Sequence, residues 1–386
     1  MMSSVLIPVY KKIGPTFVRG KGSYLWDERG KKYLDLFPGW GVSILGHSHP
    51  QIGKVISQQA RELIHLPNNL VHPYQEKAAR ELVKLSFEAK VFFANSGTEA
   101  VEAAIKFSRL YGGGKRYEII MMKNSFHGRT FGSLSATGQK KYRYPFRPLL
   151  PKFIEAKFND FEDLKTKINK KTVGVILELI QGEGGVNVAD YDYIQKVSTL
   201  CRKNDLLFII DEVQTGVGRT SKMFCYQHYD IKPDIMLLSK GLGAGFPVSA
   251  MLVKKDIADI MGRGLHASTF GGNPLACRVV LEVLKLLREE RILSNVKRVG
   301  EHLRKKLIVL KERFGFIKEV RGKGLMVGIE LKGKSYPIFE EVLKRGVIIN
   351  STHENVLRIM PALNVKKEEI DEGLNILEEV FKKYAK

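Results

Sequence analysis

Cysteine is scarce in this sequence: three in 386 residues, Cys201, Cys225 and Cys277. They lie far apart with no CxxC pair, which argues against a disulfide framework and a cysteine zinc site. No apolar run approaches the ~20 residues of a membrane span. The opening stretch MMSSVLIPVYKK lacks a basic segment ahead of an apolar run and a small-residue cleavage site, so a cytoplasmic protein is expected. There is no internal repeat and no low-complexity linker. Acids are in deficit, 41 Asp and Glu against 63 Lys and Arg, for a formal charge of +22. A nucleic-acid binder concentrates such an excess on a recognisable module. Here bases and acids interleave, as from Lys285 to Lys306, and no such module accompanies them. The reading is a solvated surface, of the kind heat-adapted proteins carry, with no nucleic-acid partner. A positive field also favours anionic small molecules entering a cleft.

What is present is a hydrophobic fraction of 44%, enough for a sizeable core, and a length that fits one large domain plus a smaller one. Residues 1–51 read as short strands and turns, with Asp27-Glu28-Arg29-Gly30 as a hairpin turn. From residue 52 to 284, apolar runs of strand length alternate with helical stretches. VFFANS, YEIIMMKNS, VGVILELI, LLFIIDEV, IMLLSK and VSAMLVKK are the strands; AVEAAIKFSRLYG and DYIQKVSTLCRKND have helical spacing. That alternation predicts an α/β domain with a mainly parallel sheet flanked by helices. Residues 285–386 read as long helices, a strand GLMVGIEL and a last helix KEEIDEGLNILEEVFKKY, a smaller α+β part packed with the N-terminal strands.

Ligands of open α/β sheets bind beyond the carboxyl ends of the strands. Five strand ends here carry polar residues: Ser96-Gly97-Thr98-Glu99, Ser125-Phe126-His127-Gly128-Arg129, Gln181-Gly182-Glu183-Gly184, Asp211-Glu212-Val213-Gln214, and Lys240. Ser96-Gly97-Thr98 opens a strong helix, which suits either an ordinary cap or a phosphate. Asp211 ends an apolar run and wants a cation, be it a salt-bridge partner, a metal or a pyridinium nitrogen. Lys240, in the glycine-rich LLSKGLGAGFP, is either a snorkelling surface lysine or a Schiff-base lysine in a dry pocket. Together, a lysine for an aldehyde, an acid for a ring nitrogen and an anion hole are what a pyridoxal 5'-phosphate site requires.

A competing motif is Gly328-Ile-Glu-Leu-Lys-Gly333-Lys334-Ser335, which matches the P-loop pattern. Its context disagrees. Leu325, Val327, Ile329 and Leu331 alternate straight through Gly328, so the strand continues where a phosphate nest would have to form.

DEVQTGVGRT, LLSKGLGAGFP, ANSGTEAVEAAIKF, FHGRT, QGEGG and STFGGNPLAC resemble, in order and spacing, the motifs of the class III pyridoxal-phosphate aminotransferases. YLDLFPGW…LGHSHP, VRGKGLMVGIEL and LRIMPALNV extend the resemblance over nearly the whole chain. The resemblance implies the fold type of that family: a large domain with a seven-stranded, mainly parallel sheet, and a small domain from both chain ends. ATGQKKYRYPF after FHGRT and the run HASTFGGNPLAC resemble the acetylornithine-type members most. Their substrates are acetylornithine and 2-oxoglutarate, which yields glutamate, and their assembly is a homodimer with shared active sites.

The roles the resemblance implies are these. Lys240 carries the cofactor aldehyde and shuttles the proton, and Asp211 pairs with the pyridine nitrogen. Glu212 flanks it in the same cofactor-binding motif. Gln214 reaches the ring hydroxyl, while Val213 and Phe126 hold the two ring faces. Ser96, Gly97 and Thr98 bind the phosphate, completed by Thr269 of the second subunit, with Ser268 beside the substrate. Arg129 takes the carboxylate of the acylated substrate, Arg358 that of glutamate, and Glu183 masks Arg358 between half-reactions. His47, His49 and His127 read as structural, and no metal is expected. Two stretches depart from the family pattern: Gly39-Trp40-Gly41-Val42 replaces a small aliphatic run, and PNNLVHPY lacks an aromatic residue near Val71. Trp40 is expected to bear on the space for the acyl group.

Overall fold

The computed structural model describes residues 5–385; residues 1–4, part of the opening stretch read for a leader, lie outside the described residues. Seven strands form the central sheet: β1 (Ala89–Ala94), β2 (Glu118–Met122), β3 (Phe153–Ala156), β4 (Thr172–Leu177), β5 (Leu207–Asp211), β6 (Ile235–Leu238) and β7 (Ser249–Lys254). Their spatial order is β1-β7-β6-β5-β4-β2-β3. The pairs from β6 through β5, β4 and β2 to β3 are parallel. Only β7 runs against its neighbours, β6 and β1. The expected mainly parallel α/β sheet is therefore present, and six strands, all but β7, deliver their carboxyl ends to one edge.

These segments form strands because their apolar residues run without alternation, which suits a sheet covered on both faces. Every residue of β2, β4, β5 and β6 is buried. Helix Gly97–Tyr111 lies across β7, β6, β4 and β5. It presents Ala100, Val101, Ala103, Ala104 and Phe107 to them. The alanines let the helix sit close to the sheet, so its first turn is held at the sheet edge. Each fully buried Leu, Ile, Val or Phe in such a layer contributes about 1.5–3 kcal/mol.

Two smaller sheets join the chain ends. Phe17–Lys21, Tyr24–Asp27 and Lys32–Asp35 pair with Val347–Ile348, and the last of these contacts is parallel. The expected hairpin turn is closed by the Asp27 carboxylate, which accepts the N–H groups of Arg29 (3.0 Å) and Lys31 (2.8 Å). The second sheet contains Ile317–Lys323, Met326–Leu331, Val356–Ile359 and Asn350–Thr352. The expected boundaries at 51/52 and 284/285 both fall inside helices, Pro50–Glu62 and Pro274–Glu289.

The strand Met326–Leu331 passes through Gly328 and pairs on both sides. A Cβ on Gly328 would come within 2.9 Å of Val186, so this glycine serves packing. Ser335 is buried, its hydroxyl 2.7 Å from that of Ser351. The first half of the P-loop-like pattern is thus part of a sheet, where its backbone groups pair with neighbouring strands instead of forming a phosphate nest. All three cysteines are buried and free. Among the described residues, no helix is long and apolar enough to cross a membrane.

Gly300, inside the helix Ile292–Arg313, tests the packing of the chain ends. Its Cβ would lie 2.4 Å from the carbonyl oxygen of Gly324. Alanine gains about 1 kcal/mol over glycine in a free helix, but overpacking against backbone costs about 1–3 kcal/mol. Gly300→Ala should therefore lower Tm in a calorimetric scan; a raised Tm would show that the helix moves freely there.

Candidate active site

A cavity of ≈ 270 Å³ opens at the carboxyl edge of the sheet, lined by Ser96, Gly97, Thr98, Phe126, Arg129, Glu183, Asp211, Val213, Gln214 and Lys240. It approaches the lower end of small-molecule pockets, about 300 Å³. Glu178, Ile180, His127, Gly128 and Thr215 complete its wall.

Lys240 follows β6 and has a left-handed backbone, φ 44°. A non-glycine residue is held there only when its surroundings dictate it, and such strain concentrates at functional positions. Burial pushes its amine below the ordinary lysine value; Glu183, Asp211 and Glu178 pull the other way, and Arg358 adds to the depression. Each nearby carboxylate has its own partner instead. Asp211, at the end of β5, holds the ring of His127, with Oδ2 2.7 Å from Nδ1. Its Oδ1 accepts the Val213 N–H at 3.0 Å. Burial opposes charge on His127, but the hydrogen bond and charge of Asp211, helped by Glu178, raise its pKa. Glu178 ends the β4 run and accepts the N–H groups of Phe126 (2.7 Å) and Gly182 (3.1 Å). Burial pushes its carboxyl up to about 7, with the His127 charge and the two N–H bonds holding it back.

At the start of helix Gly97–Tyr111, Ser96 makes no side-chain bond to the helix N–H groups. Its hydroxyl donates to Glu99 Oε2 at 2.7 Å, and Glu99 turns back to the Asn95 N–H. The ordinary cap is therefore absent, and the first N–H groups stay open toward the cavity. Gly97 lets Val213 approach: a Cβ would lie 2.9 Å from its Cγ1. Gly128, at φ 139°, makes room for the Thr98 hydroxyl, which a Cβ would meet at 2.5 Å.

Two arginines differ in kind. Arg129 is exposed at the cavity rim, its guanidinium stacked 3.8 Å over the Tyr142 ring and 5.5 Å from that of Phe126. Arg358 is wholly buried, paired with Glu183 at 2.8 Å. Its other donors reach Asn350 Oδ1 (2.9 Å) and Gln214 Oε1 (3.3 Å), and its face lies over Phe37. Burial opposes ionisation of Glu183, yet Arg358 and Lys240 outweigh it and hold its carboxyl below the usual range.

Four expected site residues do not line the cavity of this chain: Arg358, which sits behind Glu183, and Glu212, Ser268 and Thr269. Glu212 points away from the cavity, because successive side chains of extended backbone face opposite sides. Its carboxylate accepts the N–H groups of Cys225 (2.8 Å) and Tyr226 (2.7 Å) and the Thr215 hydroxyl (3.2 Å). Ser268 and Thr269 do not line the cavity. Ser268 Oγ accepts the Gly271 N–H, and Thr269 is exposed. Trp40 is 53% exposed and also lies off the cavity wall. It acts through its carbonyl, which accepts from Gln214 Nε2 at 3.2 Å. Gln214 is thus engaged by Trp40 and Arg358.

His127, read as structural, belongs to the wall through Asp211, and Glu178, Tyr142 and Asn350 were missed. Glu178 carried the same signal as Asp211, an acid ending an apolar run. Tyr142, in the short helix Lys140–Arg143, and Asn350, opening the strand Asn350–Thr352, carried none, since neither ends an apolar run.

Residues 9–381 match the family model described as Aminotransferase class-III. The chain belongs to the class III aminotransferases. An acetylornithine aminotransferase of Aquifex aeolicus is 46% identical over 96% of this chain and 98% of its own length. Another, from Caldanaerobacter subterraneus subsp. tengcongensis, is 48% identical over 97% of both chains. The ornithine aminotransferase structure from Toxoplasma gondii superposes with a TM-score of 0.94 at 29% identity, covering 98% of this chain and 93% of that one. The cofactor of this aminotransferase is pyridoxal 5'-phosphate. The residues fit that group: among the described residues the Lys240 amine has neither an ion pair nor a hydrogen bond, and it faces a cavity with an open helix start and a buried acid.

Glu212 and Gly128 separate scaffold from site. Glu212→Ala should strand two buried N–H groups at about 1–3 kcal/mol each, so Tm falls while bound cofactor per folded chain is unchanged. Gly128→Ala, at φ 139° and with a Cβ 2.4 Å from the Ser133 hydroxyl, should lower Tm and also weaken cofactor retention in equilibrium dialysis.

Proposed function

We propose that this aminotransferase moves the terminal amine of N2-acetylornithine to 2-oxoglutarate, giving N-acetylglutamate 5-semialdehyde and glutamate in two ping-pong half-reactions. The observation that carries the reading is a pair of arginines, Arg129 open at the cavity rim and Arg358 buried behind Glu183 of the cavity wall. Acetylornithine has its carboxylate at the end remote from the reacting amine, and 2-oxoglutarate has one at each end. An exposed Arg129 suits the first, and a buried Arg358 suits the second once Glu183 swings off it. Bidentate pairing gives such sites both strength and direction. The identity of 46–48% to acetylornithine enzymes, against 29% to the ornithine enzyme, supports the same choice.

Bound pyridoxal phosphate supplies an aldehyde that condenses with amines and a ring that takes up the electron pair of a carbanion. The chain does the rest. The Lys240 amine holds the aldehyde at rest and moves the proton off the amine-bearing carbon. Its depressed pKa keeps part of it neutral for that task. Asp211, steadied by His127, keeps a proton on the ring nitrogen. Phe126 and Val213 enclose the ring and exclude water, and Gln214 meets its hydroxyl. Ser96, Gly97 and Thr98 take the phosphate at the helix start.

Thr269 completes that phosphate site from a second copy, with Ser268 at the substrate side, in a cytoplasmic homodimer. The exposed apolar residues Leu70, Val71 (96% exposed), Leu265 and Phe270 (61%) support this. Asn68 ties the two loops that carry them, donating to the carbonyls of Ser268 and Gly271 at 2.9 Å.

Borohydride reduction followed by peptide mass spectrometry should find the cofactor on Lys240; a label elsewhere refutes the assignment. Among N2-acetylornithine, succinylornithine, ornithine, 4-aminobutyrate and an acyl-lysine, kcat/KM should be highest for acetylornithine. A win for free ornithine or 4-aminobutyrate overturns the donor while leaving the class intact. Arg129→Ala should lower kcat/KM for acetylornithine by about 10–100-fold, the worth of a charged hydrogen-bond pair, and lower that for 2-oxoglutarate by less. Equal losses for both substrates refute its role.

A further inference from the structure

The helix that opens with Gly97 and Thr98 carries a second group one turn further on, Glu102, on the same face at i+4. Its carboxylate is turned toward the loop that bears Arg129. Oε1 accepts the N–H groups of Gly132 (2.9 Å) and Ser133 (3.1 Å) and the hydroxyl of Thr130. A Cβ on Gly132 would fall 2.2 Å from Oε2, so the loop has closed onto the carboxylate with no side chain between. Thr98, Thr130 and Ser133 form one hydroxyl cluster. Thr98 Oγ1 is 2.8 Å from Thr130 Oγ1 and 2.5 Å from Ser133 Oγ.

An ionised carboxylate only accepts hydrogen bonds. With the Thr130 proton committed to Glu102, the Thr130 oxygen can only accept. Thr98 can then accept from the Ser133 hydroxyl and give its single proton either to Thr130 or, when one is bound, to an anion in the cavity. The same oxygen of Glu102 fixes the backbone that follows Arg129, whose guanidinium is held at its far end by the Tyr142 ring.

We infer that Glu102 is a positioning residue, which holds the Arg129 loop and the Thr98 hydroxyl in one frame and so couples donor binding to cofactor-phosphate binding. The inference rests on the roles given above to Arg129 and Thr98. It extends them to a side chain that lies outside the cavity wall.

Because one oxygen makes all three bonds, Glu102→Gln can keep them through its carbonyl, whereas Glu102→Ala cannot. In the holoenzyme, Glu102→Ala should raise KM for the amino donor by about tenfold, the effect of losing a hydrogen bond to a charged group, with a smaller change in kcat. KM for 2-oxoglutarate, served by Arg358, should stay near the wild-type value. The dissociation constant of pyridoxal phosphate, from equilibrium dialysis, should rise by a similar factor, and Glu102→Gln should restore both constants. A lowered Tm with both KM values and the cofactor constant unchanged would reduce Glu102 to a cap of the short helix and overturn the inference. Glu102→Gln behaving as badly as Glu102→Ala would overturn it too.

Should Glu102→Ala not fold, Thr130→Val removes only the hydroxyl link. It must still raise the cofactor constant, and an unchanged constant refutes the coupling. If Arg129→Ala leaves donor binding intact, the role of Arg129 fails, and Glu102 is then judged on the cofactor constant alone.

Discussion

A lysine amine can be taken out of water only at a large cost unless its charge is relinquished or matched, and the carboxyl edge of the sheet is built around that constraint. Three carboxylates surround Lys240, yet none is free to pair with it. Asp211 is held by His127, Glu183 by Arg358, and Glu178 by two backbone N–H groups. The lysine is left desolvated, unpaired and backbone-strained, with a depressed pKa. Those are the properties of an amine ready to join an aldehyde.

The two arginines follow the same logic of matched and unmatched charge. Arg358 is buried, so removing Glu183 without a replacement would strand a desolvated cation; an incoming carboxylate can displace the glutamate but nothing less polar can. Arg129 sits at the rim on an aromatic face, where it keeps part of its hydration and needs no standing counter-ion. The arginine proposed for glutamate is thus paired with an acid of the chain, and the one proposed for the donor is exposed. That difference suits two substrates that enter in turn.

Arg358 depends on segments both near to it and far from it in sequence. Asn350 and Gln214 orient Arg358, and Gln214 is in turn fixed by the Trp40 carbonyl. Trp40 takes a left-handed backbone, φ 57°, between two glycines that do the same. The contact that this position makes to Gln214 therefore comes from the main chain, while the indole lies off the cavity wall.

Much of this was legible in the sequence. Unbroken apolar runs marked the buried strands, and a polar residue at the end of each run marked the site edge. Lys240, Asp211, Gly97, Thr98 and Glu183 were found that way, and Glu178 could have been. The sequence by itself determined which elements form and which residues reach the edge, because both follow from local patterns of burial and from chain direction. Only the tertiary structure decided which way each side chain faces and what it meets. Glu212 turned to the Cys225–Tyr226 backbone though its neighbour Asp211 faces the cavity. His127 became the partner of Asp211, 84 residues away in sequence, and Ser268 and Thr269 fell outside the cavity of their own chain. These are contacts between distant segments, and no periodicity encodes them, since they depend on how the loops close over the sheet.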